Sequence, residues 1–179
     1  MYDLIIKNGE IIDGSGKGSY MADIGIKDGY IKEIAISMDS EALKVIDAKG
    51  YVVSPGFIDI DSHSDFSLYA NPRAESKIYQ GITTELVGQG GRTLGPINRE
   101  RLKDLKQYTS SYVLNKNEPN YWGWNSNMEF INLLEKKGIA VNIAALVGYG
   151  SIRVAVMGFE KRIPTKYEMD KMIFLLEEE

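Results

Sequence analysis

Short apolar runs separated by polar punctuation fill the first fifty residues. Leu4-Ile5-Ile6 and Ile11-Ile12 flank Lys7-Asn8-Gly9-Glu10. Ile24 to Lys27 and Tyr30 to Ile34 flank Asp28-Gly29, and Val45 to Asp47 and Tyr51 to Val53 flank Lys49-Gly50. Asn-Gly and Asp-Gly between apolar runs predict hairpins, because a type I′ turn needs positive φ at both central residues. Three such units predict a small meander or β-sandwich-like sheet over residues 1–54. The stretch Asp13 to Gly18 lacks the spacing and the following helix of a phosphate loop, so it reads as a linker.

From Pro55 the pattern changes to strands alternating with helical stripes. Strand one spans Phe57 to Asp61 and reads as buried from Phe57 to Ile60. A helix is expected from Pro72 to Tyr79, with Asn71 as N-cap and proline at the first helical position. Strand two, Ile82 to Val87, runs into Gly88-Gln89-Gly90-Gly91. Arg99 to Val113 reads as a helix, and residues 115–124 as a polar, aromatic excursion over the strand ends. Ser126 caps an amphipathic helix, Met128 to Lys137, with Phe130, Ile131, Leu133 and Leu134 on one stripe and Gly138 after its end. Strand three, Ala140 to Val147, ends in Gly148-Tyr149-Gly150, and Ser151 to Gly158 is a short helix or a loop. Pro164-Thr165 opens a last helix with Thr165 and Glu168 as a capping box and Met169, Met172, Ile173 and Leu176 as its apolar stripe.

The fold class expected is α/β: a small N-terminal β-sandwich-like domain (1–54), then over 55–179 the first three strands of a (β/α)8 TIM-type barrel. Closure takes eight strands and roughly 250 residues, so the barrel is incomplete in this chain. Open strand edges and bare helix faces predict self-association or a complementing chain.

Composition narrows the function. Apolar residues make up 44% and charged residues 26%, as in ordinary globular proteins. A net charge of −4 offers no cationic surface for nucleic acid or an anionic membrane. With no cysteine, disulfides and thiolate metal sites are excluded. No segment has the ~18–20 apolar residues of a membrane span, and no signal peptide is evident, so the expected location is cytoplasmic.

The chemistry-bearing residues gather at the end of strand one, in Asp59-Ile60-Asp61-Ser62-His63-Ser64-Asp65. The mouth of a parallel barrel strand is where catalytic groups and metal ligands are usually placed. His63, the one histidine of the chain, and Asp61 are the candidate metal ligands. Zinc accepts imidazole and carboxylate but needs three or four donors, and these supply two. Asp59 reads as structural and Asp65 as a cap of the following turn. Arg153 and Tyr149 are candidate substrate-binding residues, and Arg73 is a weaker one; the alternative for each arginine is a solvated or ion-paired surface. Tyr121, Trp122 and Trp124 line a pocket or fill a core.

Taken together, several segments resemble the amidohydrolase superfamily, and within it the D-aminoacylase (N-acyl-D-amino-acid deacylase) family. They are Tyr2 to Gly9, Ala22 to Gly29, Pro55 to Asp65, Gly81 to Thr84 with Val87-Gly88-Gln89, and Asn142 to Gly158. The resemblance runs from residue 2 to the end and corresponds to the N-terminal part of a longer protein. It implies a (β/α)8 barrel with a small β-sandwich, zinc or another divalent metal at the mouth, and hydrolysis of an N-acylated D-amino acid, a small-molecule substrate. The family's His-x-His falls on Asp61-Ser62-His63, so only His63 matches. Its cysteine ligand falls on Gly90, and its Gly-His-Gly on Gly148-Tyr149-Gly150. The metal inventory is therefore depleted. A non-catalytic folded fragment or oligomerising module is the alternative to a hydrolase.

Overall fold

The first strand does not turn where the Asn-Gly pair predicts. In a computed structural model, which describes residues 1–112 and 122–179, β1 (Tyr2–Ile11) runs straight through Asn8-Gly9. Asn8 does take a positive φ, 60°, but uses it for a bulge. Pairing with β2 (Tyr20–Lys27) steps from Ile6↔Ile24 to Gly9↔Ala22. Side chains from flanking segments hold the bulge. The Asn8 N–H donates to Asp23 Oδ1 at 2.8 Å, and Asn8 Nδ2 donates to Asp47 Oδ1 at 2.9 Å.

The third expected hairpin is likewise corrected. β4 (Ala42–Asp47) and β5 (Val52–Val53) both lie parallel to β1 rather than antiparallel to each other. The Lys49-Gly50 turn carries the chain past the bulge, with the Ala48 N–H on Lys7 O at 2.7 Å and the Glu10 N–H on Tyr51 O at 3.1 Å. The second hairpin forms as expected, joining β2 to β3 (Tyr30–Ala35) through Asp28 (φ 53°) and Gly29 (φ 76°). The strand order is β3-β2-β1-β4, with β5 also on β1. Ile11, Ala22 and Ile24 form a small buried cluster. Ile31, Ile36, Leu43 and Val45 stay exposed. This sheet is one of two compact units, Met1–Pro55 and Gly56–Glu179.

The second unit is α/β. Its sheet is parallel, in the order β6 (Phe57–Asp59), β7 (Ile82–Val87), β8 (Asn142–Ala145). Around it lie α1 (Asp65–Leu68), α2 (Glu75–Ile78), α3 (Leu102–Tyr108), α4 (Asn127–Lys137), α5 (Tyr149–Met157) and α6 (Lys166–Glu178). The expected buried strand one is exposed: Phe57 is 62%, Ile58 65% and Ile60 70% accessible. Among the described residues β6 pairs with β7 alone. The helix expected from Pro72 shrinks to α2, because the Pro72 carbonyl accepts the Ala140 N–H at 2.8 Å and Ala74 is left-handed at φ 47°. Arg99 to Val113 splits into a 3-10 turn at Arg99–Arg101 and α3, while Val113 and 115–121 lie outside the described residues.

The clearer helix signals match. Ser126 Oγ accepts the Glu129 N–H at 3.0 Å at the start of α4, and Gly138 ends it at φ 78°. The Thr165–Glu168 capping box opens α6, although Met172 is the buried member of its stripe and Met169, Ile173 and Leu176 are exposed. Trp122 and Trp124 belong to the core. Their rings stack at 5.7 Å, Trp124 meets Phe130 at 4.5 Å, and the Trp124 indole N–H donates to Leu94 O at 2.7 Å. Among the described residues no helix is long and apolar enough to cross a membrane.

Phe130 is fully buried against Trp124, so Phe130→Ala should lower unfolding stability by about 3–5 kcal/mol, the range for a large core truncation. Ile163→Ala, at a residue 87% exposed, should change it by less than about 0.5 kcal/mol. Urea denaturation of both variants checks the contrast.

Candidate functional site at the strand mouth

Parallel pairing brings the C-terminal ends of β6, β7 and β8 to one edge of the sheet. The loop after β6 is held there by a buried carboxylate. Glu85, on β7, is fully inaccessible. Its Oε2 accepts the hydroxyls of Ser62 and Ser64, both at 2.5 Å, and faces Lys77 Nζ at 3.2 Å. Lys77, on α2, also meets Asp59 Oδ2 at 2.6 Å. Burial opposes the Lys77 charge, but its bonds to Asp59 and Glu85 prevail and raise its pKa above the ordinary value. The hydrogen bond from Lys77, then that from the Asp61 N–H, holds Asp59 below the usual carboxylate range. A buried charge is tolerated when it is paired and hydrogen-bonded, and here the pairing joins β6, α2 and β7.

Two further bonds tie loop to loop. Gln89 Nε2 donates to Ile60 O at 2.7 Å, and the Ser62 N–H donates to Leu86 O at 3.2 Å. Thr93 does the same for the third loop. Its N–H donates to Ser151 Oγ and its carbonyl accepts from that hydroxyl, both at 2.8 Å, while Thr93 Oγ1 accepts the Gly148 N–H at 3.3 Å. Gly148 has to be glycine here, since a Cβ would lie 2.6 Å from Gly91 O.

His63 is half-buried beside these loops, and among the described residues its buried Nδ1 has no hydrogen-bond partner. Gly90 lies across from it: a Cβ there would sit 3.8 Å from His63 Cε1 and 3.5 Å from Arg92 Nη1. His63 also packs on Tyr112, with ring centroids 4.9 Å apart. Asp61 is exposed, and its backbone N–H donates to Asp59 Oδ1 at 3.1 Å. Asp59 is structural, paired to Lys77. Tyr149 is 62% exposed at the first position of α5. Arg153 is engaged with main chain, its Nη2 donating to Glu160 O and Arg162 O at 2.8 Å each. Arg73 pairs with Glu75 at 3.2 Å on the surface. The sequence reading passed over Glu85, Lys77 and Arg92; a charged residue inside the apolar strand Ile82 to Val87 was the available signal for Glu85.

A divalent metal site needs at least three donors. Among the described residues no group of three or more His, Asp or Glu side chains lies close enough to hold a metal ion. Gly90 has no side chain, and the neighbour it leaves His63 is the Arg92 guanidinium, a cation.

Comparisons with known proteins agree with this geometry in part. No family model matches the chain. The D-aminoacylase of Alcaligenes xylosoxydans is 33% identical over 180 residues, 99% of this chain and 35% of that protein. The crystal structure of a D-aminoacylase, described as defining a subset of amidohydrolases, superposes with a TM-score of 0.80 at 30% identity, over 98% of this chain and 36% of that one. An N-acyl-D-glutamate deacylase from Bordetella bronchiseptica, complexed with zinc and a phosphonate mimic of the tetrahedral intermediate, superposes at 0.78 and 30% identity, over 99% and 36%. The chain thus spans about a third of the length of the relatives it matches.

Asp65 gives the site a measurable pH signature. It is 2% exposed, with Oδ1 unpartnered. Burial, aided by the nearby Glu85 charge, raises its carboxyl from the ordinary 3.8 to about 7 against the pull of the Phe66 and Asp65 N–H groups. The folded chain therefore keeps a proton that the unfolded chain loses above about pH 4, and stability falls as pH rises from about 4 to 7. Asp65→Asn should remove that fall and gain on the parent by an amount on the order of 4 kcal/mol at pH 8. Urea midpoints at pH 5 and pH 8 check it.

Proposed function

We propose, on the premise that this chain belongs with the D-aminoacylases of the amidohydrolase superfamily, that it forms the strand-mouth part of a hydrolase cleaving the N-acyl amide of D-amino acids. In this reading residues 56–179 supply the first three strands of a (β/α)8 barrel, and residues 1–55 its small β domain. The observation that carries it is the position of His63, facing Gly90 at the ends of parallel strands, in a chain related to deacylases over its whole length.

The chemistry requires an activated water, a polarised amide carbonyl and a group that moves a proton. In metallohydrolases a divalent ion performs the first two tasks. The described residues do not assemble such a site, so no step is assigned to it. This chain's own part is to hold the His63 imidazole at the mouth, through Ser62 and Ser64 on Glu85, where it can carry a proton. In this reading Tyr149, exposed beside the glycine loop, would contact the substrate.

A second reading is a folded, non-catalytic relative that associates through its exposed strand faces. The apolar residues exposed on β3, β4 and β6 favour it. Incubation with zinc and N-acetyl-D- or N-acetyl-L-amino acids, with detection of the freed amine, separates the two. The hydrolase reading expects release from the D-enantiomer, abolished by His63→Ala. Release from neither enantiomer at full zinc supply would leave the second reading standing.

A further inference from the structure

The mouth holds a cation that the hydrolase reading leaves unused. Arg92 follows the glycine loop after β7 and is half-buried. Its guanidinium lies over the ring of Tyr108 at 5.2 Å and that of Tyr112 at 5.6 Å. Both rings lie within cation–π distance of the guanidinium. Among the described residues the Arg92 guanidinium has no carboxylate partner and no hydrogen-bond acceptor, while the Arg92 backbone N–H donates to Gln89 O at 3.4 Å. This contrasts with the nearby Lys77, Arg101 and Arg153, each of which has an oxygen partner.

A gap separates Arg92 from His63. The point where a Cβ of Gly90 would stand has two described neighbours within 4 Å beyond the adjoining chain, Arg92 Nη1 at 3.5 Å and His63 Cε1 at 3.8 Å. Tyr112 lines the gap from the side, touching both the guanidinium and the imidazole. Among the described residues His63 Nδ1 is itself buried and unpartnered. A half-buried guanidinium without an acceptor calls for an anion, and a carboxylate fits its fork with two parallel hydrogen bonds. The same charge repels a divalent cation from this point.

We propose that Arg92, with His63 across the gap left by Gly90, forms a subsite for the carboxylate of a small organic acid at the strand mouth. The occupant is a planar monoanion, because a single guanidinium offers one flat two-pronged fork rather than the several cations that a tetrahedral dianion needs. The subsite does not depend on turnover, so its test is a binding measurement that stands whether or not the hydrolase reading does.

His63 is the one histidine of the chain, so its Cε1–H signal is a unique reporter beside the gap. Titrating the isotope-labelled chain with N-acetyl-D-alanine at fixed pH should move that signal saturably. The uncharged N-acetyl-D-alaninamide should leave it in place. Arg92→Met should weaken the carboxylate response at least tenfold while the rest of the amide spectrum stays dispersed. Should Arg92→Met fail to fold, Arg92→Lys keeps the charge without the fork and should weaken binding at least threefold. A shift of equal size with the amide, an unchanged response in both variants, no saturable shift, or phosphate binding as tightly as the carboxylate would overturn the proposal.

Discussion

Glu85 sits on the central strand of the parallel sheet with no exposed surface, and one of its oxygens takes Ser62, Ser64 and Lys77 together. Each donor comes from a segment with little else to fix it. Ser62 and Ser64 flank His63 in a loop beyond a three-residue strand, and Lys77 sits on a four-residue helix. An ionised carboxylate in an apolar sheet is strongly unfavourable unless paired, so the loop and the helix close over it. The position of His63 follows from this, since the residues on both sides of it are held by the same oxygen.

The glycine loop opposite has a similar logic in backbone. Thr93 and Ser151 exchange hydrogen bonds at the start of α5, drawing the loop after β7 onto the loop after β8 until Gly148 meets Gly91 without room for a side chain. The result is a preorganised rim made largely of main chain. At that rim lie the His63 imidazole and the Arg92 guanidinium, the latter within 5.2 Å of the Tyr108 ring centre, and the exposed Tyr149. In this chain Gly90 faces His63 with nothing to offer, and the neighbouring charge is positive.

The two units differ in how far they are covered. The second has a core of aromatic and aliphatic side chains around Trp124, Phe130 and Leu134, all nearly or fully inaccessible. The five-stranded sheet buries a small cluster and leaves apolar residues of β3 and β4 in contact with solvent, as β6 does in the other unit. Large exposed apolar areas of this kind usually mark surfaces that meet another element.

The sequence by itself determined what depends on neighbours within a few residues. The Asp28-Gly29 turn, the Ser126 and Thr165 caps and Gly138 all follow from local backbone preferences, and each is seen. His63 and the glycine loops after strands two and three, read as strand ends, lie together at the C-terminal edge of the parallel sheet. Tertiary structure alone decided how the same signals were used. Asn8-Gly9 has the positive φ of a turn, but β4 and β5 pair along β1 and make it a bulge. Trp122 and Trp124 look equally like pocket or core until Leu94 and Phe130 meet Trp124. Arg153 is taken up by two distant carbonyls, whereas Arg92, unremarked in the sequence, stands within cation–π distance of two tyrosines. Partners for a long polar side chain lie far along the chain, and only packing determines which of them come within reach.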